Sequence, residues 1–446
     1  MKLTELMQTV DPEAVGDEMY ALAAEMFAFC RSITGEGLRR TLRIVRGQVP
    51  LQMHEVPSGS QVFDWTVPKE WNIYDAYIKN EQGERLVDFR KHNLHVVSYS
   101  LPVNRRMSLA QLRPHLFTLP EQPDWIPYRT SYYKETWGFC LSHRELEKLG
   151  EGEYDVCIDS TLGPGSLTIG EFYLPGESED EVLISCHCCH PSLANDNLSG
   201  ISLAVALAKR LSKVTRRYSY RFLFLPGTIG AISWLALNEA TTARIRHGLV
   251  LSCVGDSGGF TYKKSRRGNA EIDRAVVHVL NCSDEPHRVI EFFPYGYDER
   301  QYCSPGFDLA VGCLMRSQHG TFPEYHTSAD NLTFIQPSSL GRSFTKLLEV
   351  VHVLEHNQFF INQKPKCEPR LGKYGLYGGM GGDRRGDFGE LALLWVLNLS
   401  DGQHDLLAIA ERSGIQFGEI AAAADALVMC GLLKPRDTEA GREESP

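Results

Sequence analysis

Apolar positions recur along the chain with two different periods. In GDEMYALAAEMFAFC (16–30), Met19, Leu22, Met26 and Phe29 fall at helical spacing, which predicts an amphipathic helix. LQMHEV (51–56) reads as a strand. From about 59 to 155 the pattern breaks into short strand-like pieces such as VFDWTVP and NLHVVSYSL, with scattered prolines. Beyond 155 longer apolar runs alternate. DEVLISCHC (180–188), YRFLFLP (220–226), HGLVLSCVG (247–255) and RAVVHVLNC (274–282) read as strands. NLSGISLAVALAKRLSK (197–213), AISWLALNEA (231–240) and SFTKLLEVVHVLEHNQFF (343–360) read as helices. Strand–helix alternation predicts an α/β domain around a mainly parallel sheet, whose sites form beyond the carboxyl ends of the strands. Near the C-terminus, LALLWVLNLSDG, HDLLAIAERSG and FGEIAAAADALVMCGLLKP predict three helices with glycine stops and a closing Gly-Leu-Leu-Lys turn, the pattern of a winged helix.

The expected organisation is a core from 1–58 and 156–370, a β-rich insert at 59–155 and a winged helix at 384–446. With 446 residues, several domains are expected. The run QKPKCEPRLGKYGLYGGMGGDRRG (363–386) reads as a linker. Its GGMGG (378–382) is not a phosphate loop, because no Gly-Lys-Ser/Thr follows it.

Composition narrows the function. Hydrophobic residues make up 43% and charged residues 23% of the chain, as in soluble globular proteins. A net charge of −10 argues against a nucleic-acid or anionic-membrane surface. No apolar run reaches membrane-span length, and the acidic N-terminus lacks a signal core, so a cytoplasmic protein is expected. In that reducing compartment most of the twelve cysteines are expected as buried thiols. The segment 383–446 holds twelve acidic against six basic residues, the wrong balance for tracking phosphates. Its Ala- and Leu-rich helices suit packing on the catalytic domain. They or the insert could equally join a second subunit, so a homo-oligomer is one expectation.

Chemistry concentrates in SCHCCHPSLANDNLSG (185–200). His187 sits at a strand end and Asp196 nine residues later, before a helix. An imidazole and a carboxylate there can converge on a divalent metal such as zinc. The alternative is a buried strand with small thiols and a polar cap. His190 and Cys189 could be ligands or could simply shape the loop. A Cys–His nucleophilic pair is disfavoured, since adjacent strand residues face opposite ways. A second polar turn, PEYHTSADNL (323–332), carries His326.

VFDWTVPKEW (62–71), IDSTLGPGSLTIGEFYLPG (158–176), CHPSLANDNLSG (189–200), DERQYCSPGFDL (298–309) and YHTSADNL (325–332) together resemble the M28-type zinc aminopeptidases. More closely, they resemble an "aminopeptidase-like" group with an inserted β domain (DUF2172) and a C-terminal winged helix (DUF4910-type), found in polysaccharide-biosynthesis contexts. The resemblance implies a zinc-peptidase (phosphorylase/hydrolase-like) core. It implies one zinc ion on His187, Asp196 and His326, with His190 and Asp256 as further candidate ligands. Arg300, Gln301 and Tyr302 match the substrate-side loop. The family's Glu-Glu pair falls here on Gly227 and Thr228, and its aspartate after the first histidine on Cys189. The general base is therefore missing from its usual place. Asp298 and Glu299 are the candidate catalytic residues, with Glu324 and His190 as further options. Restoring the carboxylate by Gly227→Glu is expected to raise activity.

The function these features imply is zinc-dependent hydrolysis, or the reverse formation, of an amide bond in a small aminoacyl or acylamino compound. That compound could be a modified sugar or a specialised metabolite. The rival expectation is a catalytically silent or weakly active relative that binds a ligand or scaffolds a biosynthetic complex.

Overall fold

The computed structural model describes residues 1–376 and 389–436, so the GGMGG tract lies outside the described residues. The chain divides into two compact units, Met1–Gly268 with Arg288–Thr345, and Asn269–His287 with Lys346–Pro446.

An eight-stranded sheet organises the first unit. In chain order its strands are β1 (Gln52–Pro57), β2 (Ser166–Leu174), β3 (Glu181–His187), β4 (Ser219–Leu225), β5 (Ile245–Leu251), β6 (Phe260–Lys263), β7 (His287–Ile290) and β8 (Val311–Met315). Their spatial order is β1-β2-β4-β3-β5-β8-β6-β7. The four middle strands are parallel, and antiparallel pairs flank them. Every residue of β3 and β4 is buried, because helices cover both faces of a parallel sheet. Helix Gly200–Leu211 follows β3, and all of it except Lys209 and Arg210 is buried. The amphipathic helix near the N-terminus runs over Pro12–Phe27, opened by Pro12 and capped by Asp11, whose side chain accepts from Glu13 N–H.

A second sheet interrupts the first between two of its neighbours. β1 and β2 pair antiparallel, yet more than a hundred residues of chain separate them. Within that excursion, Arg85–Asp88, Glu70–Lys79, Glu153–Gly163 and Val103–Ser108 form a four-stranded antiparallel sheet in that order. Glu153–Gly163 alternates exposed and buried positions, as a strand with one covered face must.

The second unit contains helices Glu390–Leu399, Leu406–Ser413 and Phe417–Met429 and a three-stranded antiparallel sheet. Strand Phe359–Asn362 is the middle one, between Asp401–Asp405 and Leu433–Pro435. Two expectations need correction here. The segment read as a strand at 274–282 is helix Glu271–Asn281. Ile272, Ala275, Val276, Val279 and Leu280 are its buried stripe, and that spacing outweighs the strand preference of the valines. The long helix is Pro337–His356, and 359–362 belongs to the sheet instead. Asn357 ends it by donating to Asp405 (3.1 Å) and accepting from Leu407 N–H (2.9 Å).

Each unit buries a histidine that resists protonation. Burial lowers His247 in the first unit to about 4 and His352 in the second to about 3, from an ordinary 6.5. A lowered folded-state pKa contributes stability above pH 6.5, and this is lost as pH falls toward the folded value. For His247 the loss approaches about 3 kcal/mol. Thermal melts taken from pH 7 to pH 4 are expected to show a steep fall in Tm, and His247→Leu is expected to flatten it.

Candidate metal centre

β3 delivers His187 at its carboxyl end, where the parallel strands open. The chain then turns tightly through 194–199 into helix Gly200–Leu211, and this turn presents Asp196. Both side chains are almost fully buried. His187 Nε2 lies 2.7 Å from Asp196 Oδ1. His326, on a distant loop, places its Nε2 3.0 Å from Asp196 Oδ2. One carboxylate thus stands between two imidazoles from opposite sides. His190 joins them: ligand atoms of His187, His190 and Asp196 lie within 4.8 Å of one another. Its ring centroid is 4.7 Å from that of His187 and 5.1 Å from that of His326.

The electrostatics favour a cation. Burial alone would raise the Asp196 carboxyl. The imidazoles of His190 and His187, with hydrogen bonds from His187 and His326, outweigh it and hold the group well below the usual carboxylate range. Burial drives His190 well below its ordinary value, leaving a neutral ring with a free lone pair. Imidazoles grouped about one buried carboxylate fit the N/O donor preference of zinc.

Several residues hold this arrangement in place. Asp330 accepts from the backbone N–H of Asn195 (2.6 Å) and of Asp196 (3.0 Å), so it fixes the turn that aims the carboxylate. Asn195 donates to Asp256 (2.8 Å) and accepts from Gly255 N–H (2.8 Å). Asn197 donates to the Leu251 carbonyl (2.9 Å). Tyr297 stacks on His187 at 4.5 Å and donates to Asp196 Oδ1 (3.0 Å). Arg31, fully buried, donates from Nε to the His190 carbonyl (2.8 Å). His326 adopts φ +57°, a strained left-handed conformation. The β insert braces it. Tyr128 N–H donates to the His326 carbonyl (2.8 Å), and Ile126 and Ser328 exchange bonds of 3.0 and 2.9 Å. The Tyr128 ring then lies edge-on to both His190 and His326.

The remaining candidates separate clearly. Asp256 is not in the group; Asn195, Gly258 N–H and Ser317 occupy its oxygens. Glu299 is fully buried and paired with Lys263 (2.8 Å), a structural ion pair. Tyr302 is a fully buried core residue, its hydroxyl 3.0 Å from that of Ser185 in β3. Gln301 lines a cleft of about 390 Å³ with Phe63, Trp65 and Phe307. Arg300 is half-buried with its guanidinium over Tyr295. Cys189 is buried and its thiol is pushed up to about 12, which makes it a poor nucleophile. Glu324 enters the turn through its carbonyl, which accepts from Thr327. Asp298 is different. It is fully buried, neither carboxylate oxygen has a hydrogen-bond partner among the described residues, and burial pushes it up to about 6.

Sequence reasoning assigned no role to Asp330, Tyr297, Tyr128 or Arg31. Asp330 and Tyr297 had a signal, since each lies within or beside a motif that carries a site residue. Tyr128 and Arg31 had none, because they arrive from the insert and from the N-terminal segment.

Comparison with known proteins agrees with this architecture. A family model described as a domain of unknown function, DUF4910, matches residues 20–357, and a winged helix-turn-helix model matches 358–435. A Clostridium acetobutylicum protein is 52% identical over 419 residues, covering 94% of this chain and 96% of that one. It is described as a candidate polysaccharide biosynthesis protein with an aminopeptidase-like domain. A crystal structure of a candidate peptidase from the same organism superimposes with a TM-score of 0.92 at 50% identity, over 97% of this chain and 100% of that one. The Bacillus subtilis zinc aminopeptidase shares the fold at a TM-score of 0.55 and 12% identity, over 76% of this chain and 95% of that one. A buried aspartate set between two histidines at the open end of a parallel sheet, in a chain that ends in a winged helix, is thus accompanied by a family match across most of the sequence: the chain belongs to the DUF4910 family, built on a zinc-aminopeptidase fold.

Proposed function

We propose that this protein is a zinc-dependent amide hydrolase acting on a small aminoacyl or acylamino compound. The observation that carries the reading is Asp196, buried and set between His187 and His326, with His190 alongside. These four residues would hold the ion. Zinc, when bound, supplies Lewis acidity toward a carbonyl oxygen and toward water. The chain's own residues do the rest. Tyr297 and Asp330 orient Asp196, and Tyr128 with Arg31 closes the insert side of the site. Arg300 and Gln301 stand on the segment that would meet the substrate; a guanidinium and an amide suit a carboxylate or sugar hydroxyls. The relative's description supports a substrate from polysaccharide assembly. No helix among the described residues is long and apolar enough to cross a membrane. We place the protein in the cytoplasm and read its insert as the DUF2172-like module.

Gly227 favours a second reading, a zinc-binding relative without hydrolytic power, because the family's glutamate is absent there. Protein purified without chelators and supplied with zinc separates the two. The expected result is about one zinc per chain and cleavage of aminoacyl anilides or N-acyl amino sugars. Chelation is expected to abolish cleavage and added zinc to restore it. Bound zinc with no cleavage of any amide would leave the binding role. Protein that takes up no zinc would refute both.

A further inference from the structure

Gly227 and Asp298 meet at one point in space. A Cβ built on Gly227 would lie 3.1 Å from His187 Cβ and 3.4 and 3.8 Å from the two Asp298 carboxylate oxygens. The Asp298 carboxylate thus stands in van der Waals contact with the place a Cβ at 227 would take, so a longer side chain there would meet it, beside the first histidine of the metal centre. It arrives from a different segment, the residue preceding the short helix Glu299–Tyr302.

The other buried acidic groups around the site are occupied. Asp196 faces the histidines, Asp330 holds backbone N–H groups, Asp256 accepts from three residues and Glu299 pairs with Lys263. Asp298 alone among them is fully buried with both oxygens unpartnered among the described residues. An unpaired carboxylate out of water is unfavourable, and native proteins retain few such groups without a use for them.

We propose that Asp298 is the proton-handling carboxylate of this site, moved from position 227 to another segment, with Gly227 kept small to admit it. The assignment rests on the hydrolase reading above. In the reaction, Asp298 takes a proton from the attacking water as the water oxygen bonds to the amide carbon. It passes that proton to the nitrogen as the C–N bond breaks. One water is consumed, an acid and an amine leave, and the carboxylate is regenerated. A consequence reverses the expectation drawn from sequence. Gly227→Glu drives a second carboxylate into occupied space and does not raise activity.

The test compares zinc-loaded wild type, Asp298→Asn and Gly227→Ala. Asp298→Asn is expected to lower kcat at least about 100-fold, the usual worth of a positioned proton carrier. Its KM and zinc content should stay near wild type. Its metal-free form should melt several degrees higher, because a buried unpaired charge is gone. Gly227→Ala should lower kcat only a few-fold with zinc retained, because its Cβ meets the Asp298 oxygens at ordinary contact distance and crowds only His187 Cβ. An active wild type with an equally active Asp298→Asn variant overturns this assignment alone. So does a variant that loses zinc and melts lower, which marks a structural role. A zinc-loaded wild type inert toward every amide overturns the hydrolase reading and this assignment with it.

Discussion

Asp196→Asn is expected to strip the site of metal, leaving less than about a tenth of the wild-type zinc and hydrolysis lower by about a thousandfold. The reason is local. Both oxygens of Asp196 are engaged, one toward His187 and Tyr297 and the other toward His326. An asparagine keeps one acceptor and turns an N–H pair toward a ring that should be donating or binding metal. The negative charge that offsets a divalent cation is also lost, and in a buried site water does not replace it. Elemental analysis of the purified variant measures the zinc, and near-ultraviolet circular dichroism shows whether the fold persists. Zinc retained at the wild-type level would mean that the three histidines hold the ion without the carboxylate. His326→Ala is expected to have a smaller effect, since His326 is 34% exposed and water can take its place.

Asp330→Ala is expected to lower folding stability by about 2–5 kcal/mol and zinc affinity by about 10–100-fold, although Asp330 touches no metal. The N–H groups of Asn195 and Asp196 are both buried and both donate to this carboxylate. Without it they lose their acceptor, and the turn that aims Asp196 loses its anchor. Burial raises the Asp330 carboxyl to about 8 against the pull of the same N–H groups, which shows how little solvent reaches it. Urea denaturation measures the first effect, and competition with a zinc-binding dye measures the second. Asp330→Asn keeps one acceptor and should fall between wild type and alanine. Unchanged stability in both variants would mean that the turn holds without this contact.

Local pattern made most of the core legible. β3 and β4 are mostly apolar because both faces are covered, with the charges of Glu181 and Arg221 paired to each other, and helix Gly200–Leu211 is largely apolar for the same reason. The pattern misled at Glu271–Asn281, where valines mimic a strand and the helical stripe decides. It also ran the long helix past His356, because nothing local says that Phe359–Asn362 will find two strand partners. At the site, the strand-end position of His187 and the turn carrying Asp196 were visible as motif.

The sequence by itself determined most of the strands and helices, that the chain carries an α/β core followed in sequence by a winged helix, and which stretches carry the histidines and the aspartate of the site. These depend on residue type and spacing over a few turns, which act locally. Only the tertiary structure decided that Asp256 and Tyr302 serve the framework, that Glu299 is neutralised by Lys263, that the insert braces His326 through Tyr128, and that Asp298 fills the space beside Gly227. The partners in these pairs lie tens to hundreds of residues apart. Burial and hydrogen bonding between such distant residues exist only once the chain has folded, so no local pattern encodes them.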